Sequence, residues 1–181
     1  MKNKNIRAIT RTAALIALLI SLQWATAGTQ AFAGQYITGT LVNCVLAIAA
    51  TFGGVLCGIV VAILSPFFAF LLGIGPKLIQ IVPCIALGNL AYVLLLGCLL
   101  NRVAKQFWEQ TVSVILASAA KFAVLYLAVV KIMIPVMADT LKPPQIQTFT
   151  LMFSWPQLVT ALLGGTLALL ILPILRKAIN K

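Results

Sequence analysis

"TAALIALLISLQWATAGTQAFAGQYITGTLVNCVLAIAATFGGVLCGIVVAILSPFFAFLLGIGP", Thr12 to Pro76, contains no Asp, Glu, Lys, Arg or His. An uncharged stretch of this length has room for about three membrane spans at roughly 20 residues each. Backbone amides and carbonyls find no water in hydrocarbon, so a lipid-exposed loop cannot survive there and each such run must be helix. Two further uncharged runs follow, Leu78 to Asn101 and Pro143 up to Arg176. Composition agrees: with 62% hydrophobic and 8% charged residues the chain could not cover a water-facing surface with polar groups. The sequence therefore predicts an all-α integral membrane protein, a six-transmembrane-helix bundle in a single membrane domain spanning 1–181. Its helices fall at about 8–24, 36–51, 54–72, 79–100, 110–134 and 155–175.

Charge orients the bundle. With six spans and the N-terminus inside, Lys2, Lys4, Arg7, Arg11, Arg102, Lys105, Arg176, Lys177 and Lys181 lie on the inner side, and only Lys77 and Lys142 on the outer side. A five-span reading swaps the later loops and erases most of this bias, so the positive-inside rule selects six spans with N and C termini cytoplasmic, in a multi-pass protein of the cell (plasma) membrane. The net charge of +11 is then an orientation device. Its residues are scattered over short segments and form no face for nucleic acid. The basic start, an apolar run and "AFA" at Ala31 to Ala33 also resemble a secretory signal. Because the chain carries Met1, the stretch is read as the first membrane helix.

The missing residues exclude whole classes of mechanism. There is no His, and the only carboxylates, Glu109 and Asp139, fall in loops. Ion-coupled transport and proton relays need a buried carboxylate or imidazole. Intramembrane hydrolysis needs a comparable constellation, and no GxxxxGK[ST] loop is present to hold a nucleotide. The chain is expected not to be an enzyme, and neither cofactor nor metal is expected. Cys44, Cys57, Cys84 and Cys98 lie within predicted spans without CxxC spacing and read as small packing residues.

Small residues recur at four-residue spacing: Ala13 and Ala17 in helix one, Gly54, Gly58 and Ala62 in helix three, Ala161 with Gly165 and Gly164 with Ala168 in helix six. Such stripes let helices approach closely where no hydrophobic effect acts between them. In helices three and six they suit internal packing. Helix one follows a basic segment and could equally present its stripe to another membrane protein.

Several stretches together resemble the substrate-binding (S) components of energy-coupling factor (ECF) transporters, prokaryotic vitamin importers. They are "RTAALIALLISLQ", "GQYITGTLVN", "FGGVLCGIVVAILSPFFAFLLGIGP", "VPCIALGNLAYVLL" and "SWPQLVTALLGGTLALLILPILRK". The resemblance implies that Ala13 and Ala17 dock onto a transmembrane (T) component and that two cytoplasmic ATPase subunits supply energy. It also implies a pocket in the outer half of the bundle, built by helices four to six and capped by outer loops.

The residues themselves lead to the same end of the molecule. Helices two, four and six begin outside, placing three positive helix ends there, with Ser154 as an expected N-cap of helix six and Pro156 in its first turn. Polar and aromatic residues collect nearby: Gln35, Tyr36 and Asn43, Gln80 and Asn89, Trp155 and Gln157. Tyr36 and Trp155 also suit an interfacial belt, and Asn89, about 15 Å into helix four, could instead bond another helix. "GIGP", Gly73 to Pro76, suits a gating loop or any tight turn. In "KFAVLYLAVVKIMIP", Lys121 to Pro135, helix five carries two ammonium groups. Lys121 falls roughly 16 Å in, near mid-membrane, whereas Lys131 reaches the outer interface and could snorkel. Ideal α geometry sets them about 80° apart, so that both could flank one cavity.

The leading expectation is an S component that binds a small water-soluble vitamin or related nutrient, anionic, on the outer side. A stand-alone passive facilitator or channel, and a membrane scaffold or assembly protein, are the alternatives. Expected partners are the T component, two ATPases, the nutrient and membrane lipid, with no nucleic acid.

Overall fold

The computed structural model describes residues 2–27, 32–74, 76, 78–102 and 106–179. Ala31, Gly75, Lys77, Lys105 and Lys181, on which parts of the sequence reading rest, lie outside the described residues. The elements are α1 (Lys2–Thr26), α2 (Phe32–Ile48), α3 (Val55–Leu71), α4 (Val82–Arg102), α5 (Phe107–Leu125), α6 (Ile134–Val136), α7 (Pro143–Met152) and α8 (Trp155–Ile179). A π-helical turn, Ala49–Gly53, closes α2, and a longer one, Tyr126–Met133, joins α5 to α6 as one continuous span, Phe107–Val136. Among the described residues five spans are long and apolar enough to cross a bilayer, and α3, at 17 residues, supplies a shorter sixth.

Sequence accounts for the boundaries. Glu109 accepts a hydrogen bond from the Gln106 backbone N–H (2.9 Å), satisfying a free donor at the start of α5 and placing negative charge at the positive helix end. Gly73 adopts φ +69° just past α3. There its N–H bonds Phe70 O and the Ile74 N–H bonds Ala69 O, the paired closure that lets a helix stop at a left-handed residue.

The expected six-helix bundle is present, with one added element. The segment between the fifth and sixth spans, expected as a loop, contains α7, begun by Pro143 after Lys142, whose N–H donates to Gln145 Oε1. Ser154, expected to cap α8, turns its hydroxyl back to the Thr150 carbonyl of α7 instead.

Around the bundle, packed neighbours run α1, α3, α4, α5, α8, α2 and back to α1. Small residues set the closest approaches. A Cβ at Gly164 would lie 2.6 Å from both Thr40 O and Asn43 Cβ of α2, and one at Gly58 would lie 2.5 Å from Val93 Cγ1 of α4. The main core lies between α2, α3, α4, α5 and α8, including Leu46, Val61, Tyr92, Val93 and Leu96, all fully buried. A smaller cluster, with Ile81, Leu125, Val129 and Phe153, joins α4, α5 and the α7–α8 junction. Of α1 only Leu19 is fully buried, with Leu15, Ile16 and Leu22 packed part-exposed against the core.

The α2 backbone, Thr40 O at 2.6 Å and Cys44 N at 2.8 Å, stands where an added methyl at Gly164 would go. Gly164→Ala is expected to destabilise the bundle by about 1–3 kcal/mol through overpacking, read as a lower midpoint in thermal unfolding in detergent.

Candidate functional site

At the end of the bundle where α1 and α3 finish and α2 and α8 begin, the helices part around a cavity of about 590 Å³. That volume falls within the range of small-molecule sites. Gln23 and Thr26 of α1, Gln35, Thr38 and Asn43 of α2, and Ser65 and Pro66 of α3 line one side. Ile85 and Asn89 of α4, Lys121 of α5, and Trp155, Gln157 and Thr160 of α8 line the rest. Thr148, Leu151 and Met152 of α7 lie over it.

Lys121 is 3% exposed, and its Nζ donates to Asn43 Oδ1 (2.6 Å) and Asn89 Oδ1 (2.7 Å). Below it the Tyr92 ring centroid lies 5.6 Å from Nζ, offering the negative face of the π-system. Tyr92 is fixed in turn by donating its O–H to Ala161 O (3.0 Å), and Asn43 Nδ2 donates to Thr160 Oγ1 (3.4 Å). Helices α2, α4, α5 and α8 therefore converge on one ammonium. Two of its three protons are committed to amide oxygens, and none of its described partners is an anion. The chain's two carboxylates cannot reach it: Glu109 stands twelve residues earlier on the same helix, about 18 Å away, and Asp139 is exposed beyond α6.

Five of the eight residues expected at a binding site meet here: Asn43, Asn89, Lys121, Trp155 and Gln157. Tyr36 stands just behind, its ring 5.9 Å from that of Trp155. Gln80 is exposed and does not line the cavity. Nor does Lys131, which is exposed with its Nζ 5.7 Å from the Tyr126 ring centroid. The 80° separation from Lys121 assumed α geometry throughout. The π-helical segment at Tyr126–Met133 adds backbone to each turn and carries Lys131 to the outside. The pocket expected from helices four to six alone is also larger in its membership, since α1, α2 and α3 all contribute to its wall and α5 supplies only Lys121. Ser65, Gln23, Thr38 and Thr160 were not singled out by sequence because isolated hydroxyls and amides in apolar helices carry no periodic signal.

Two glutamines close the outer side. Gln35 Nε2 of α2 and Gln157 Nε2 of α8 both donate to Met152 O, at 2.9 and 3.0 Å, tying the last turn of α7 to both helices. In the middle of α1, Ala13 and Ala17 are exposed, and Ala13 borders an apolar groove between α1 and the start of α3.

A family model described as the ECF transporter substrate-specific component matches residues 7–176. The chain belongs to that family. No curated protein and no solved structure gives a match to it. This S component is thus a substrate-binding transporter subunit, multi-pass in the plasma membrane, from a family of transporter components and not of enzymes. Membership implies a small-molecule substrate and association with T and ATPase subunits.

The Lys121 cluster predicts a measurable coupling. Asn89→Leu leaves the buried ammonium short of an acceptor and should destabilise the protein. In the Lys121→Met background the same change should cost less, giving an interaction energy of about 0.5–3 kcal/mol in a double-mutant cycle of detergent unfolding midpoints.

Proposed function

We propose that this S component captures a small, water-soluble, anionic nutrient of the vitamin class on the outer side of the membrane and releases it inward when a T component and two ATPases act on it. Both termini are then cytoplasmic, the cavity faces outward, and the positive-inside distribution of basic residues supports that orientation.

The observation that carries the reading is Lys121. A buried ammonium with no carboxylate in reach, bonded only to neutral oxygens, lines a ligand-sized cavity. Intramembrane charges are costly and are retained where they serve a pathway or ligand. A bound anion supplies the counter-charge that the chain does not. Lys121→Met keeps length and apolar bulk, so the fold should persist while affinity falls by about 1.5–3 kcal/mol, the worth of a charge-assisted hydrogen bond. The measurement is titration of the molecule retained by gently purified protein, identified by native mass spectrometry. Lys131→Met should leave that affinity unchanged, and a retained cation would refute the anionic reading.

Docking to the T component is assigned to the exposed Ala13 and Ala17 face. It lies on the least buried long helix and is smooth enough for another helix to approach closely. Trp at either position is expected to abolish ATP-dependent uptake in cells while ligand binding by the isolated S component persists. Loss of both together would assign the alanines to internal packing.

A further inference from the structure

Most polar side chains that line the cavity are committed to protein partners. Lys121, Asn43, Asn89 and Thr160 share one network, Thr38 donates to Thr26 Oγ1 at 2.7 Å, and Gln35 and Gln157 hold Met152 O. Two stand apart. Ser65 is 1% exposed, lines the cavity, and its hydroxyl bonds no protein group among the described residues. Gln23 also lines the cavity, and its Oε1 is buried without a partner. Buried polar atoms are nearly always paired, so an orphan at a cavity wall marks a partner supplied from outside the chain. Pro66 adds to this wall. It lacks an N–H, so the carbonyl of Ala62 loses its helical donor on the same side of α3.

Helices α1 and α3 are packed neighbours, and α5 stands across the ring from α1. Ser65 and Gln23 thus line the cavity from the neighbouring helices α3 and α1, and Lys121 lines it from α5. We propose that Ser65 and Gln23 read a neutral hydrogen-bonding group, a hydroxyl or an amide, on a ligand whose anionic end is held by Lys121. Ser65 can donate or accept. The Gln23 carboxamide turns about a soft terminal torsion, so its oxygen can swing to meet a ligand donor. The ligand class is therefore a hydroxy- or amido-carboxylate or an equivalent anion, reaching from Lys121 to Ser65 and Gln23. The inference rests on the reading of Lys121 as the anion site.

The test uses the intact protein in detergent and equilibrium dialysis against a panel of hydroxy- and amido-carboxylates. Each is paired with an analogue in which the hydroxyl is replaced by hydrogen or the amide by methylene, and with its methyl ester. Wild type is expected to hold members bearing the group about tenfold better than their stripped analogues. Ser65→Ala, which removes one oxygen, and Gln23→Met should each shrink that ratio about threefold while keeping the preference for carboxylate over ester. If carboxylates beat esters but the stripped analogues bind equally well, the second contact point is overturned, Lys121 keeps its role, and water is the partner of Gln23. If esters bind as well as carboxylates, or no member is held, the anion reading fails and this proposal with it. The wild-type comparison alone decides, so a variant that fails to fold cannot shelter the idea.

Discussion

One ammonium group disciplines the interior of this bundle. A charge at mid-membrane is tolerable only if its protons are bonded and its field is answered, and Lys121 meets the first condition through Asn43 and Asn89. Those bonds require α2, α4 and α5 to present polar atoms at one depth, and Asn43 draws in α8 through Thr160. Close approach of α2 and α8 at Gly164 makes that convergence sterically possible, because any side chain there would push against Thr40 and Asn43. Packing and polarity are coupled: the glycine contact sets the depth at which the amides meet, and the ammonium gives that depth its purpose.

The position of the cavity follows from the same arrangement. Inward of Lys121 the helices are sealed by Leu46, Val93, Leu96 and other fully buried apolar side chains. Outward of it, Pro66 interrupts the α3 ladder, and α1 and α2 are joined by a pair of threonine hydroxyls where they border the cavity. Space opens there, and α7 covers it. The cover is tied by hydrogen bonds from two side-chain amides and by a small apolar cluster rather than by a deep core, since none of the residues in α7 is fully buried. Elements held by few buried contacts open at lower free energy than the core does.

Much of the fold was legible because hydrocarbon removes alternatives. Between Arg11 and Lys77 no charged residue offers a place to leave the membrane, so helices had to fill the stretch and only their ends were open to error. What escaped notice was local and weakly encoded. Helix α7 is short and amphipathic at best, and a ten-residue helix opened by Pro143 and Pro144 reads much like a loop. The π-helical turn at Tyr126–Met133 leaves no mark in hydropathy, yet it decides that Lys131 faces outward and Lys121 does not. Lys121 and Asn89 stood out as polar residues deep in apolar helices, whereas Ser65 and Gln23 acquire meaning only from the bonds they lack in three dimensions.

Helix α1 carries both part of the cavity wall and the face proposed to dock the T component. One end of it contributes Gln23 and Thr26 to the cavity wall, and its middle carries the exposed Ala13 and Ala17. A partner can alter ligand affinity only by binding two states of this protein unequally, and the ligand must then bias those states in return. Among the described helices long enough to span, α1 has the fewest fully buried residues, Leu19 alone, so it is the one whose displacement would uncover the fewest of them. The ammonium, by contrast, is held on α5 by α2 and α4 and stays with the core. Were α1 to move, Gln23 would leave the cavity wall while Ser65 on α3 and Lys121 on α5 stayed in place, so a ligand held as proposed would lose one contact before the others.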